Sequence, residues 1–274
     1  MKLKKLIMAL AVAAAAPTIA HAGPFLFTNT TLGGTDTFQF SSLVISSTDP
    51  SVITLTDTNG NGIVDSTFID SFTETGAVYG VNFKNRPVLN EVPVSPIISG
   101  INIRYELWAS YTPPDGLLGG VGALVGGNYV GIFSPLSSFT LFYDTVVDGL
   151  LTGSSTAIAT GTNGSGNCTL PQFGQAQGTC EINFDFNPLS GIFFTSADGK
   201  DFNDWSKRMV NLDFNIDEIT PGFTPTYSTP GGTQVQSLTH DGSARFVVPE
   251  PASLALMGLG LLGLGALRRR KTAV

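Results

Sequence analysis

The sequence predicts an all-β body, an antiparallel β-sandwich of jelly-roll-like form, set between two terminal segments of a different kind. Three observations predict it. Charged residues make up only 13% of the 274 positions, while the chain holds 32 glycines and 19 phenylalanines. Short alternating or β-branched runs recur along the middle, and no long stretch has the apolar period of a helix. Clusters of Gly, Pro, Asn and Asp separate those runs. Strands with one apolar and one polar face imply an antiparallel sheet buried on one side, and about ten of them imply two such sheets face to face.

Residues 1–22 read as a signal peptide. Lys2, Lys4 and Lys5 form the charged start, Leu6 to Ala16 the apolar core, and Ala20-His21-Ala22 a small-x-small cleavage site. The body is assigned to 23–247 and a tail to 248–274.

Strands are expected at Thr37–Phe40, Ser41–Ile45, Val52–Thr56, Ser66–Ile69, Ser138–Tyr143, Glu181–Phe186, Asn211–Ile216 and Ser243–Val248. Ile101–Tyr111 alternates well, with Ile103 and Tyr105 on one face and Trp108 on the other. Trp108 is either buried between sheets or free to stack on a sugar. Turns are expected at Pro113–Gly116, Asp148-Gly149, Gly161–Asn167, Asp198-Gly199 and Gly231-Gly232. Gly119–Gly131 has six glycines in thirteen positions, which fits either a wide loop or a strand of weak register. Asp201–Met209 has room for one short helix around Trp205. Gly161–Asn167 has a linker's composition and is expected as a long loop within a single sandwich.

The sharpest candidate for chemistry is Asp57-Thr-Asn59-Gly-Asn61-Gly-Ile63-Val-Asp65. Oxygen ligands at positions 1, 3, 5 and 9, glycine at 6 and a backbone carbonyl at 7 match the first part of a calcium loop. The metal ligands would be Asp57, Asn59, Asn61, the Ile63 carbonyl and Asp65. Position 12 is Phe68 where such a loop carries glutamate, so a Ca2+ site here would be weak. The alternative is a metal-free hairpin with an Asn-Gly tip. A second cluster, Asp198, Asp201 and Asp204 beside Trp205, is a solvated acidic turn, a glycosidase carboxylate pair or a sugar platform.

Cys168 and Cys180 are the only cysteines, and Pro171, Gly174 and Gly178 lie in the segment between them. In an oxidising compartment such a pair forms a disulfide by default. His240 is the one histidine after residue 22, placed in an expected Thr-His-Asp-Gly turn. No G-x-S-x-G elbow, histidine-based zinc set or phosphate loop occurs in the body. No catalytic residues are expected, and the chain is not expected to be an enzyme.

Charge narrows the partners. Seven of the 14 basic residues lie in the two ends, as does Glu250, which leaves seven basic against 20 acidic residues, a body charge near −13. That charge repels nucleic acid and anionic membranes. It favours divalent cations, which can bridge carboxylates to acidic polysaccharide.

The tail runs Pro249-Glu250-Pro251, then an uncharged apolar segment Ala252–Leu267, then a basic stop of Arg268, Arg269, Arg270 and Lys271. A helix of that apolar length spans roughly 24 Å against a bilayer core of about 30 Å, and the arginines can snorkel to make up the difference. Lys and Arg beside an apolar helix stay on the cytoplasmic side, so the body faces outward. Gly258, Gly260 and Gly263 match G-x-G-x-x-G literally, but no βαβ unit surrounds them.

These three parts in order resemble a PEP-CTERM sorting tail; a plain membrane anchor is the alternative. The resemblance implies an exosortase partner that cuts near the PEP, transient inner-membrane anchoring, and a Gram-negative exporter that also makes extracellular polysaccharide. Tyr105-Glu-Leu-Trp-Ala-Ser110, and Gly178–Phe186 leading to Gly191–Phe194, resemble the flocculation-associated PEP-CTERM proteins more loosely. That resemblance implies a surface or matrix protein that promotes floc or biofilm formation through exopolysaccharide. A carbohydrate-binding module and a polysaccharide-processing enzyme are the alternatives.

Overall fold

The computed structural model describes residues 25–46, 51–79, 81–85, 92–151, 155–171, 178–195, 199–206, 208–220, 227 and 229–247. The expected signal peptide, the whole expected tail 248–274 and Asp198 lie outside them.

Strands dominate the described residues. The first eight are β1 Phe25–Thr28, β2 Thr37–Phe40, β3 Ser42–Ser46, β4 Ser51–Thr56, β5 Asp70–Thr75, β6 Ala77–Tyr79, β7 Asn82–Asn85 and β8 Val92–Pro93. A four-residue helical turn, Pro96–Ser99, follows. The next four are β9 Glu106–Ser110, β10 Leu118–Val125, β11 Asn128–Phe133 and β12 Phe139–Asp144. The last five are β13 Thr156–Pro171, β14 Gly178–Pro188, β15 Phe193–Thr195, β16 Met209–Thr220 and β17 Thr233–Val247. All named strand pairs are antiparallel, as expected.

The long strands β13, β14, β16 and β17 pair in that order and form one wall. The C-terminal half of β13 pairs with β11, and the N-terminal half of β17 pairs with β4. Because β11, β10, β5 and β4 also pair in sequence, the sheet closes into an eight-membered ring, a flattened barrel with two facing walls. Beyond it, the other half of β13 carries β12, β9 and β6, and the other half of β17 carries β3, β7 and β8.

Alternation builds the interior. Ile182, Phe184 and Phe186 of β14, and Leu212, Phe214 and Ile216 of β16, are all buried, as their period predicts. A separate sheet, β15-β1-β2, lies where phenylalanines recur at every second residue. Phe25, Phe27, Phe38, Phe40 and Phe193 point to one side and meet Phe83, Phe186, Phe202 and Phe246. Phe27 alone has ring centroids of Phe83, Phe38 and Phe193 at 5.1, 5.4 and 5.6 Å. Edge-on and tilted pairs at this spacing contribute roughly 0.5–1.5 kcal/mol each beyond area burial.

Several expectations are corrected. Gly161–Asn167 is not a loop or linker; it is the middle of β13. Gly161 and Gly164 leave space for the rings of Phe139 and Phe184, which a Cβ at either position would meet within 2.0 and 2.8 Å. Gly119–Gly131 is the β10–β11 hairpin, turning at Gly126-Gly127 with both φ positive. Ser66–Ile69 is a turn, and the strand begins at Asp70. Ile101–Tyr111 is a strand only over Glu106–Ser110. Before it the chain turns at Gly100, whose carbonyl accepts from the backbone N–H of Ile103 and Arg104, and Ile103 is exposed. The expected short helix is one 3-10 turn, Phe202–Asp204, ending at Trp205.

Candidate functional site

Asp57 organises the end of the β4–β5 connection. Its Oδ1 accepts backbone N–H bonds from Gly60 at 2.8 Å and Asn61 at 3.2 Å. Its Oδ2 accepts from Gly62 at 2.7 Å and Gly231 at 2.8 Å. Burial raises the carboxyl pKa, but the four N–H groups outweigh it and hold the pKa below the usual carboxylate range. Gly60 and Gly62 adopt positive φ, which the tight turn requires.

The other predicted metal ligands gather in the same turn. Asn59 Nδ2 donates to Asp65 Oδ2 at 2.7 Å, and Asn61 Nδ2 donates to both Asp65 oxygens at 3.1 Å. Asn59 Oδ1 accepts from Asn61 N, and Asn61 Oδ1 from Ile63 N. Asp70, at the start of β5, accepts from Thr58 N and Asp65 N and closes the loop. Calcium takes six to eight oxygens. Here Asp57 is committed to four N–H groups, and both Asp65 oxygens accept from the Asn59 and Asn61 amides.

A cluster that the sequence reading missed sits inside the barrel. His240 lies in β17, not in a turn, and is 4% exposed. Its Nε2 contacts Glu74 Oε1 and lies 2.9 Å from Ser51 Oγ, which is 3.0 Å from the same Glu74 oxygen. Ser51 on β4 and Glu74 on β5 are buried as well. These are the residue types of a hydrolytic triad. A relay, however, uses the two imidazole nitrogens on opposite partners, whereas one nitrogen faces both here. The signal available was the lone body histidine at an inward position of a strand.

Asp36 forms a second buried node. Arg104 Nη2 donates to its Oδ1, and Asn29 Nδ2 donates to its Oδ2 at 2.9 Å. Burial raises the Asp36 pKa, and the Arg104 and Asn29 hydrogen bonds with the Arg104 charge bring it below the ordinary value.

Asp201 caps the 3-10 turn through Asn203 N at 2.8 Å and accepts from Gly191 N at 2.7 Å. Asp204 is exposed, and Lys200 Nζ sits 4.5 Å from the Trp205 ring centroid. Trp108 is buried at 2% exposure, which removes it as a sugar platform. The expected disulfide joins Cys168 to Cys180, directly opposed residues of β13 and β14.

The outer surface divides by wall. Facing outward on β14, β16 and the C-terminal half of β17 are Glu181, Asp185, Asp213 and Asp241, with Asn183, Asn211 and Asn215 between them and one cation, Arg245, opposite Asn211. Asn211 Nδ2 bonds Glu181 at 3.1 Å and Asn183 at 3.0 Å, so amides space the carboxylates. The facing wall presents Val52, Thr54, Thr56, Ser71, Thr73, Thr75, Val121 and Ile132.

The family model of the PEP-CTERM protein-sorting motif matches residues 247–271. No curated protein and no solved structure matches the chain. The motif marks the chain for exosortase processing, export, and a cell-surface or extracellular location.

Proposed function

We propose that this chain, which carries a PEP-CTERM sorting motif at residues 247–271, is a matrix protein that promotes floc or biofilm formation by holding extracellular polysaccharide. The observation that carries the reading is the sorting motif joined to an acidic all-β body. The acidic wall supplies the contact: Glu181, Asp185, Asp213 and Asp241 stand on three adjacent strands. Carboxylates so placed hold divalent cations weakly, and those cations bridge to acidic sugars. The Asp57–Asp65 turn is a second, millimolar-range calcium ligand, through Asp65 and the Ile63 carbonyl. The role is non-enzymatic.

Deleting the gene in its own host, with settling and polysaccharide output measured together, tests the proposal. Dispersed cells with undiminished polysaccharide are expected. Unchanged settling overturns the matrix reading and leaves an exported β-protein of another role.

A further inference from the structure

We infer that the exported protein self-associates through the uncharged wall of its barrel, with a second copy of the chain as the occupant. Around the closed ring β13-β11-β10-β5-β4-β17-β16-β14, strand β10 stands opposite β16, and β5 opposite β14. The wall centred on β5 and β10 is therefore across the ring from the strands that carry Glu181 and Asp213. Its outward residues follow one register. Val235 pairs with Thr54 and Thr54 with Thr73, and Thr56 with Ser71, Ser71 with Val121 and Val121 with Ile132. Among the described residues, no charged side chain faces outward on β4, β5, β10, β11 or the N-terminal half of β17. The charges that these strands do carry, Asp70 and Glu74, point inward and are 1% and 3% exposed. Five aliphatic side chains stand out instead: Val235 at 61%, Val125 at 47%, Ile132 at 42%, Val52 at 38% and Val121 at 37% exposure.

Electrostatics selects the occupant. The body carries seven basic against 20 acidic residues, so two copies repel through most orientations. Apposing the two uncharged walls points both acidic walls outward. They are then separated by two whole barrels, well beyond a Debye length of about 8 Å at physiological salt. Val, Ile and Thr on a pleated surface are also the residues that pack sheet on sheet at about 10 Å. Five strands about 4.8 Å apart and five residues long make a face of roughly 400 Å². That is about half the 800 Å² per partner of a stable interface. The association is therefore weak and concentration-dependent. It goes beyond polysaccharide retention, since it would cross-link copies already held on polymer.

Sedimentation of the exported protein, recovered from its host's extracellular fraction, tests the inference over a wide concentration range. A reversible monomer–dimer equilibrium is expected. Val235→Glu and Thr73→Glu should each weaken it about tenfold or more, because each places like charges face to face. Val235→Thr should retain it, and Asp213→Asn on the opposite wall should leave it intact. Circular dichroism melts of each variant show that the fold is unchanged. A monomer at every concentration, or a dimer indifferent to both glutamate substitutions, overturns the inference. So does retention of the monomer on dextran beads that the same substitutions abolish, which would assign the wall to a neutral polysaccharide. Loss of flocculation on gene deletion does not bear on this outcome, so the two readings fail separately.

Discussion

The acidic wall and the uncharged wall face each other across one interior, and both are made of alternating strands. Their inward residues are alike: Phe184, Ile182 and Leu212 on one side, Phe72, Leu55 and Leu118 on the other. Their outward residues share almost nothing. Asn and acidic side chains, with the single cation Arg245, dominate one, and Thr, Ser, Val and Ile the other. Packing dictates the inward set, because a core tolerates few shapes. The outward set carries no such constraint, so its chemistry is where a partner can be read.

The largest expected effect comes from breaking what the walls share. Glu74→Ala leaves His240 facing a vacated site inside the barrel, and removal of one partner from such a buried pair costs roughly 3–5 kcal/mol. Chemical unfolding would register it as a lower midpoint, and both walls would lose their order together. Phe27→Ala should cost a similar amount, about 3–5 kcal/mol, since four rings lose a neighbour.

Cutting the tie at the margin of the acidic wall comes next. Cys168→Ser with Cys180→Ser should cost about 3 kcal/mol by the loop-entropy argument. Thermal melts under oxidising and reducing conditions give the comparison, and the double variant should be insensitive to reductant.

Acid should act through particular carboxylates. Asp57 and Asp36 have folded pKa values below their unfolded ones. Each therefore contributes stability above the unfolded value of about 3.9, lost as pH falls through the lower folded value. Asp57→Asn should flatten the decline of the melting temperature below about pH 4. A decline as steep as in the parent would show that Asp57 does not contribute to it.

The smallest stability effects belong to the walls themselves. Asp213→Asn and Val235→Thr should each change unfolding free energy by less than about 0.5 kcal/mol, because neither position supports the core. Calcium should raise the melting temperature of the parent modestly at millimolar concentration, and less in Asp65→Asn, measured by differential scanning fluorimetry.

The period of two was enough to place β14 and β16 and to say which of their residues are buried. It failed where glycine stands in for absent volume. Gly161 and Gly164 look like linker residues in a string, yet each fits against an aromatic ring from another strand. It failed again at Ile101–Arg104, where the alternation is real but the Gly100 turn and the Arg104–Asp36 pair stop the strand. The Asp57 turn was legible from its Asx and glycine spacing. The Ser51–Glu74–His240 cluster was not, since its members are separated by up to 189 positions and meet only when β4, β5 and β17 pair. The contrast between walls was hidden for the same reason: which outward residues become neighbours depends on ring closure.

The most direct test of the central claim is complementation of the deletion strain with a chain whose acidic wall is neutralised by Glu181→Gln, Asp185→Asn, Asp213→Asn and Asp241→Asn. Settling and cell-bound polysaccharide are read together, alongside the amount of exported protein. The account predicts normal export, polysaccharide lost to the medium and dispersed cells, the phenotype that calcium chelation should give with the parent chain. Full restoration of settling by the neutralised chain would contradict it.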